Sequence, residues 1–221
     1  AMDPQQRVFL ECAWHCIEDA GLKPSSLSGA RCGVYVGCAS SDYGKDLDQG
    51  AQALVGGATS ILSARIAYLL NLKGPCLAID TACSSSLVAI VEACGSLAAG
   101  DCDLSLAGGV SVTPGPSLHI MGTKAKMLSP DGRCFAYDQR ANGIVLGEGL
   151  GVVMLKRLDD AVRAGDRIDA VIKGWAINQD GKTNGITAPS VKSQISLQRE
   201  VYERFAIDPA SISLVEAHGT G

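Results

Sequence analysis

Aromatic side chains are scarce in this chain: three Phe, two Trp and five Tyr among 221 residues. With 26 glycines present, tight turns between strands and helices and close backbone packing are expected. No Lys/Arg run exceeds two residues and the net charge is −4, so nothing is in place to neutralise a phosphate backbone, and nucleic-acid binding is a poor reading. No stretch of about eighteen apolar residues is free of charge, so no membrane span is expected. The first residues lack the basic, apolar and small-residue regions of a secretory leader. Neither a C-x-x-C pair nor an N-x-S/T acceptor occurs, and the cysteines number nine, an odd count. A disulfide framework belongs to short secreted chains, so these thiols read as reduced, cytoplasmic and mostly buried.

What is present describes a packed α/β domain. Hydrophobic residues make up 47% and charged residues 19%. Apolar periodicity predicts helices over 8–20, 60–70 (inside a longer 51–70 segment), 84–99, 158–164 and 191–205. Strands are predicted at 32–39, 76–80, 103–110, 146–157, 169–177 and 212–217. The stretch 111–145, with Pro114, Pro116 and Pro130, reads as irregular. Alternating strands and helices, with several strands apolar on both faces, imply a buried, layered α/β sheet. The chain stops four residues after an apolar strand, which suggests a piece of a longer protein.

One cysteine has a special setting. Cys83 lies in Asp80-Thr81-Ala82-Cys83-Ser84-Ser85-Ser86, between a strand and a helix. That is the arrangement of a nucleophile elbow, which lifts a side chain above the end of a sheet. A helix N-terminus also favours the thiolate, by up to ~2 kcal/mol in partly buried geometries. A thiolate exchanges acyl groups with another thioester at little thermodynamic cost and keeps the acyl group activated. The residue type thus points to thioester substrates. The three following serines read as capping and first-turn residues. His218, after the last apolar strand and before Gly219-Thr220-Gly221, stands where α/β folds build their sites.

Other patterns carry less. Gly147-Glu148-Gly149-Leu150-Gly151 lacks dinucleotide-loop spacing. Cys12 and Cys16 are four apart on a helix, but the ring of His15 faces elsewhere, so no metal site is expected. The 178–185 loop resembles a calcium loop only in composition, since Val191 stands where the twelfth-position Glu belongs. His119 has no assigned role.

The segments around Cys83 and His218 resemble two signatures of β-ketoacyl synthases (ketosynthases) of bacterial modular type I polyketide synthases. So do Met2 to Arg7, Leu106-Ala107-Gly108-Gly109-Val110, Ser129 to Cys134, Gly147-Glu148-Gly149 and Asn178 to Pro189. The resemblance runs end to end. It implies a thiolase-like layered αβαβα fold, truncated: residues 1–157 as the first half and 158–221 as the start of the second. It implies a homodimer working with an acyl carrier protein and other polyketide synthase domains. Cys83 would accept an acyl chain from carrier phosphopantetheine, and a malonyl-type extender would then condense with it by decarboxylation. His218 would stabilise the enolate oxygen, the Cys83 N–H would bind the acyl oxygen, and Thr187 and Thr220 would contact the pantetheine arm. No cofactor or metal is bound by the domain itself. The family's second catalytic His and its Lys would lie beyond Gly221. Val91 stands where many relatives have His, and Ile144 where many have an aromatic residue. The alternatives are a non-elongating, transacylating ketosynthase and an inactive isolated fragment. A thiol hydrolase is disfavoured because no base is placed for water.

Overall fold

A computed structural model describes residues 2–43 and 50–220; Ala1 and Gly221 lie outside the described residues. The chain forms two compact units. One comprises Ala1–Arg167 with Ala217–Gly221, the other Ile168–Glu216.

In the first unit, helix α1 (Pro4–Asp19) begins ahead of the expected residue 8. Asp3 and Pro4 are the reason: the Asp3 carboxylate caps the Gln5 N–H at 2.8 Å, and Pro4 occupies the first helical position, where no N–H is needed. Strand β1 (Cys32–Gly37) is buried throughout. Helices α2 (Ala53–Gly57) and α3 (Thr59–Leu69) follow, then β2 (Cys76–Ile79), α4 (Ser85–Ala99) and β3 (Leu104–Ser111). The stretch expected to be irregular contains a helix, α5 (Ser117–Lys124), which starts just after Pro116. Strand β4 (Gly149–Lys156) and α6 (Leu158–Ala164) complete the unit's regular structure.

The four strands form one sheet in the order β2-β1-β3-β4, with β4 antiparallel to β3 and the other pairs parallel. Alternation along β1 sends its side chains to opposite faces. Val34 and Val36 join Phe9, Ala13 and Ile17 of α1 and Leu62 and Ile66 of α3 in the main core. Tyr35 faces the other way and packs with Ala89 and Ala93 of α4 and Ala107 of β3. Helices therefore cover both faces. The window Ala82–Ala99 has the length and hydropathy of a membrane span. It includes Glu92, and α4 lies against β1 and β3.

The Gln5-Gln6 pair is structural. Gln5 donates to Ala39 O at 3.1 Å and accepts from Val112 N at 3.3 Å, tying together the chain just past β1 and β3. Gln6 donates to the carbonyls of Gly56 at 2.9 Å and Ala58 at 3.1 Å, and accepts from Arg65 Nε at 3.0 Å. Gln6 is 3% exposed, so water cannot readily replace it. Gln6→Leu is expected to destabilise by about 1–3 kcal/mol, measured by urea unfolding, because it removes the buried bonds to these carbonyls and takes away the acceptor of Arg65 Nε.

In the second unit, α7 (Val191–Arg204) is capped by Ser190, whose hydroxyl accepts from Ser193 N at 3.2 Å. Trp175 packs on Phe205 with ring centroids 4.8 Å apart. The predicted strands at 169–177 and 212–217 do not form. A strand needs a neighbouring backbone, and no described segment pairs with either one. Their apolar side chains stay exposed: Val171 by 48%, Leu214 by 79% and Val215 by 73%.

Candidate active site

The strand–turn–helix around Cys83 forms as the spacing predicts. β2 ends at Ile79, a 3-10 turn spans Ala82–Ser84, and α4 begins at Ser85. Because β1, β2 and β3 run parallel, this turn stands at their C-terminal ends, where α/β sheets place their sites.

The turn is strained. Ala82, the residue before Cys83, has φ +57°. The left-handed region costs an L-residue about 1–2 kcal/mol, so neighbouring bonds must hold it there. Two side chains, Asp80 and Ser85, grip Ala82 itself, and Ser84 braces the neighbouring Thr81. Asp80 Oδ1 accepts from Ala82 N at 3.1 Å. Ser85 Oγ accepts from Thr81 N at 2.9 Å and donates to Ala82 O at 2.6 Å. Ser84 Oγ donates to Thr81 O and lies equally near Thr81 Oγ1, both at 2.9 Å. The serines were expected to cap the helix. Ser84, the N-cap residue of α4, makes no side-chain capping bond, and these hydroxyls bind back into the turn.

Two glycines seat the first turn of α4 on the sheet. Gly37 of β1 and Gly109 of β3 are register partners. A Cβ on Gly37 would stand 2.4 Å from the Ser85 carbonyl carbon, and one on Gly109 would stand 2.6 Å from Ser86 Cβ. Sequence reasoning missed both this seat and the Ser85 bonds. A signal for the seat was present as small residues (Gly33, Gly37, Ser105, Ala107 and Gly109) at alternate positions of two paired strands.

Among the nine cysteines, only Cys83 and Cys134 are exposed. Four are buried, and three are intermediate, fewer buried than the apolar runs suggested. Burial pushes the thiol of Cys32 up to about 12. Burial, then the charges of Asp80 and Asp3, pushes Cys38 up to about 11. These two thiols stay protonated near neutral pH and are poor nucleophiles.

His218 and Thr220 are exposed and belong to the same unit as Cys83. Between them, Gly219 adopts φ +60° with its Cα close enough to the 136–137 turn that a Cβ would lie 3.5 Å from Tyr137 Oη. That turn belongs to a hydrogen-bonded loop. Leu128 and Ile144 form a bridge, Ser129 Oγ donates to Asn142 Oδ1 at 2.7 Å, and Asn142 Nδ2 donates to Asp131 Oδ2 at 2.7 Å. Thr187 is exposed in the second unit. There Asp180 accepts from Ser190 N at 3.2 Å and Asn178 donates to Ser193 O at 2.8 Å, so the 178–180 motif anchors the start of α7.

Residues 1–161 match the family described as beta-ketoacyl synthase, N-terminal domain, and residues 169–221 match beta-ketoacyl synthase, C-terminal domain. Polyketide synthase PksL of Bacillus subtilis (strain 168) is 51% identical over 221 residues, all of this chain and 5% of that protein. A component protein of the phenolphthiocerol/phthiocerol polyketide synthase of Mycobacterium tuberculosis (strain ATCC 25618 / H37Rv) is 50% identical over 226 residues, all of this chain and 15% of that protein. Among solved structures, the ketosynthase from module 6 of the bacillaene synthase of Bacillus subtilis 168 superposes with a TM-score of 0.93 at 51% identity. The match covers 99% of this chain and 38% of that one. The oxazolomycin ketosynthase domain OzmH KS7 of Streptomyces albus JA3453 gives 0.92 at 39% identity, covering all of this chain and 39% of that one.

Proposed function

Because the chain belongs to the β-ketoacyl synthase family, we propose that it carries the acyl-accepting nucleophile of a polyketide synthase ketosynthase. Its α/β, thiolase-like fold is that of the solved ketosynthase domains. The observation that carries the reading is the elbow, which exposes Cys83 on a strained turn at the ends of parallel strands.

The Cys83 thiolate attacks the carbonyl carbon of an acyl group held on the phosphopantetheine of an acyl carrier protein. A C–S bond to Cys83 forms, the C–S bond to pantetheine breaks, and the departing thiolate takes a proton. A malonyl-type extender on a carrier protein then loses CO₂. The resulting enolate carbon attacks the Cys83 thioester, forming a C–C bond and releasing the sulfur. The Cys83 N–H binds the acyl oxygen during transfer. His218 donates a hydrogen bond to the extender's thioester oxygen as negative charge develops there. Thr187 and Thr220 contact the pantetheine arm. The domain binds no cofactor of its own.

The partners are the acyl carrier protein, neighbouring synthase domains and a second copy of the domain, and the setting is the cytoplasm. We place the boundary between halves after β4, near residues 157–158. The exposed apolar segments 169–177 and 212–217 are then strands whose sheet partners lie in the part of the ketosynthase this chain does not span, as do the second His and the Lys. The 221 residues alone are inactive on this reading.

The two exposed cysteines give an internal control. In the complete ketosynthase, iodoacetamide is expected to alkylate both Cys83 and Cys134, whereas an acyl-pantetheine thioester acylates only Cys83, read by peptide mass spectrometry. Acylation confined to Cys134, or none, would refute the assignment.

A further inference from the structure

Ser85 is 7% exposed, while Thr81, Ala82, Cys83 and Ser84 before it are all exposed. Its hydroxyl is the one polar side chain buried within the elbow. It reaches backward, accepting from Thr81 N at 2.9 Å and donating to Ala82 O at 2.6 Å. The Ser85 backbone N–H also points to Ala82 O. On the other side of the same residue, the Asp80 carboxylate accepts from Ala82 N. Ala82 is thus gripped at both its N–H and its C=O, and it is the residue held at φ +57°.

Resting on the ketosynthase reading above, we propose that Ser85 is the positioning residue of the Cys83 thiol. Its hydroxyl keeps the Ala82 carbonyl turned inward, which holds Ala82 in the left-handed region and aims the next side chain outward. Ser85 touches no substrate. It acts through the backbone of the residue before the nucleophile. Ser84 does not share this role: it is exposed, and its hydroxyl bonds to Thr81. Gly37 lies directly beneath, where a Cβ would meet the Ser85 carbonyl carbon, so the serine has little room to shift and the bond geometry is set by packing.

The test compares Ser85→Ala, Ser85→Thr and the double variant Ser85→Ala/Ala82→Gly in the complete ketosynthase. Acyl transfer from an acyl-pantetheine thioester onto Cys83 is followed by mass spectrometry, with kcat and KM separated. Ser85→Ala is expected to slow loading kcat by about 10- to 100-fold at nearly constant KM, because the thiol loses its aim rather than its substrate. Adding Ala82→Gly is expected to restore kcat to within about threefold of wild type, since glycine adopts positive φ without a Cβ penalty. Ser85→Thr, which keeps the hydroxyl, is expected to retain most of the activity. Loading by Ser85→Ala within about twofold of wild type, a loss confined to KM, or a double variant no faster than Ser85→Ala overturns the proposal. If Ser85→Ala alone does not fold, the double variant and Ser85→Thr are read instead, and failure of the double variant to load overturns it. A Cys83→Ala protein that loads at the wild-type rate refutes the reading of Cys83 itself, whatever Ser85 does.

Discussion

In the complete ketosynthase, His218→Ala is expected to leave acyl loading of Cys83 within about threefold of wild type while lowering condensation by about 10²- to 10³-fold. The split follows from where charge develops. On the proposed reading, negative charge during loading appears on the oxygen of the incoming acyl group, which the Cys83 N–H is proposed to bind. During condensation, charge appears on the thioester oxygen of the extender once CO₂ has left. An imidazole N–H directed at that oxygen is worth most when the oxygen becomes an enolate, so its loss raises the condensation barrier and leaves the earlier barrier nearly untouched. Loading is read from acylated Cys83 peptide, and condensation from CO₂ release and the lengthened acyl product. Equal loss of both steps would assign His218 to the nucleophile instead, and loss of neither would remove it from the site. Its neighbour Gly219, at φ +60° beside Tyr137, fixes the direction in which the chain leaves His218.

The elements of the first unit were legible because their apolar periods are undisturbed. α6 forms over the predicted 158–164, and β1, β3 and β4 fall within about two or three residues of the predicted bounds. The elbow was legible for a different reason: a short apolar strand, a polar turn and a long apolar helix are adjacent in sequence, so no distant contact is needed to infer the placement of Cys83. Prediction failed where structure depends on partners distant in sequence. Residues 169–177 and 212–217 have the composition of strands, yet composition cannot supply a neighbouring backbone. α5 was hidden by Pro114 and Pro116, which precede its first residue and so permit the helix. Of the serines after Cys83, Ser85 and Ser86 stand in the first turn as expected, but Ser84 does not cap the helix, and the target of the Ser84 and Ser85 hydroxyls goes with the positive φ of Ala82, which nothing in the local composition announces.

The same limit applies to the glycines beneath α4, and there the expected effect is large. Gly37→Ala is expected to destabilise the protein by about 1–3 kcal/mol or more, through overpacking. It is also expected to cut loading of Cys83 by over about tenfold, because a small displacement of a reacting group is costly. The added carbon would lie 2.4 Å from the Ser85 carbonyl carbon and 2.5 Å from Ser86 N, and both are backbone atoms that no rotamer change can move. Neither Gly37 nor Gly109 has positive φ, so the effect comes from space and not from backbone conformation. Relief requires the first turn of α4 to rise from the sheet. That movement pulls on Ser85, whose hydroxyl holds Ala82, and so carries Cys83 away from its direction. Gly95 provides the control on the same helix. It is exposed, with open space where a Cβ would go, so Gly95→Ala is expected to be neutral or to stabilise by about 0.5–1 kcal/mol, since alanine is the better helix former. Urea unfolding and the rate of Cys83 acylation, measured on both variants, separate a displaced helix from a merely altered one. Wild-type loading by Gly37→Ala would mean that the seat of α4 does not set the position of the thiol.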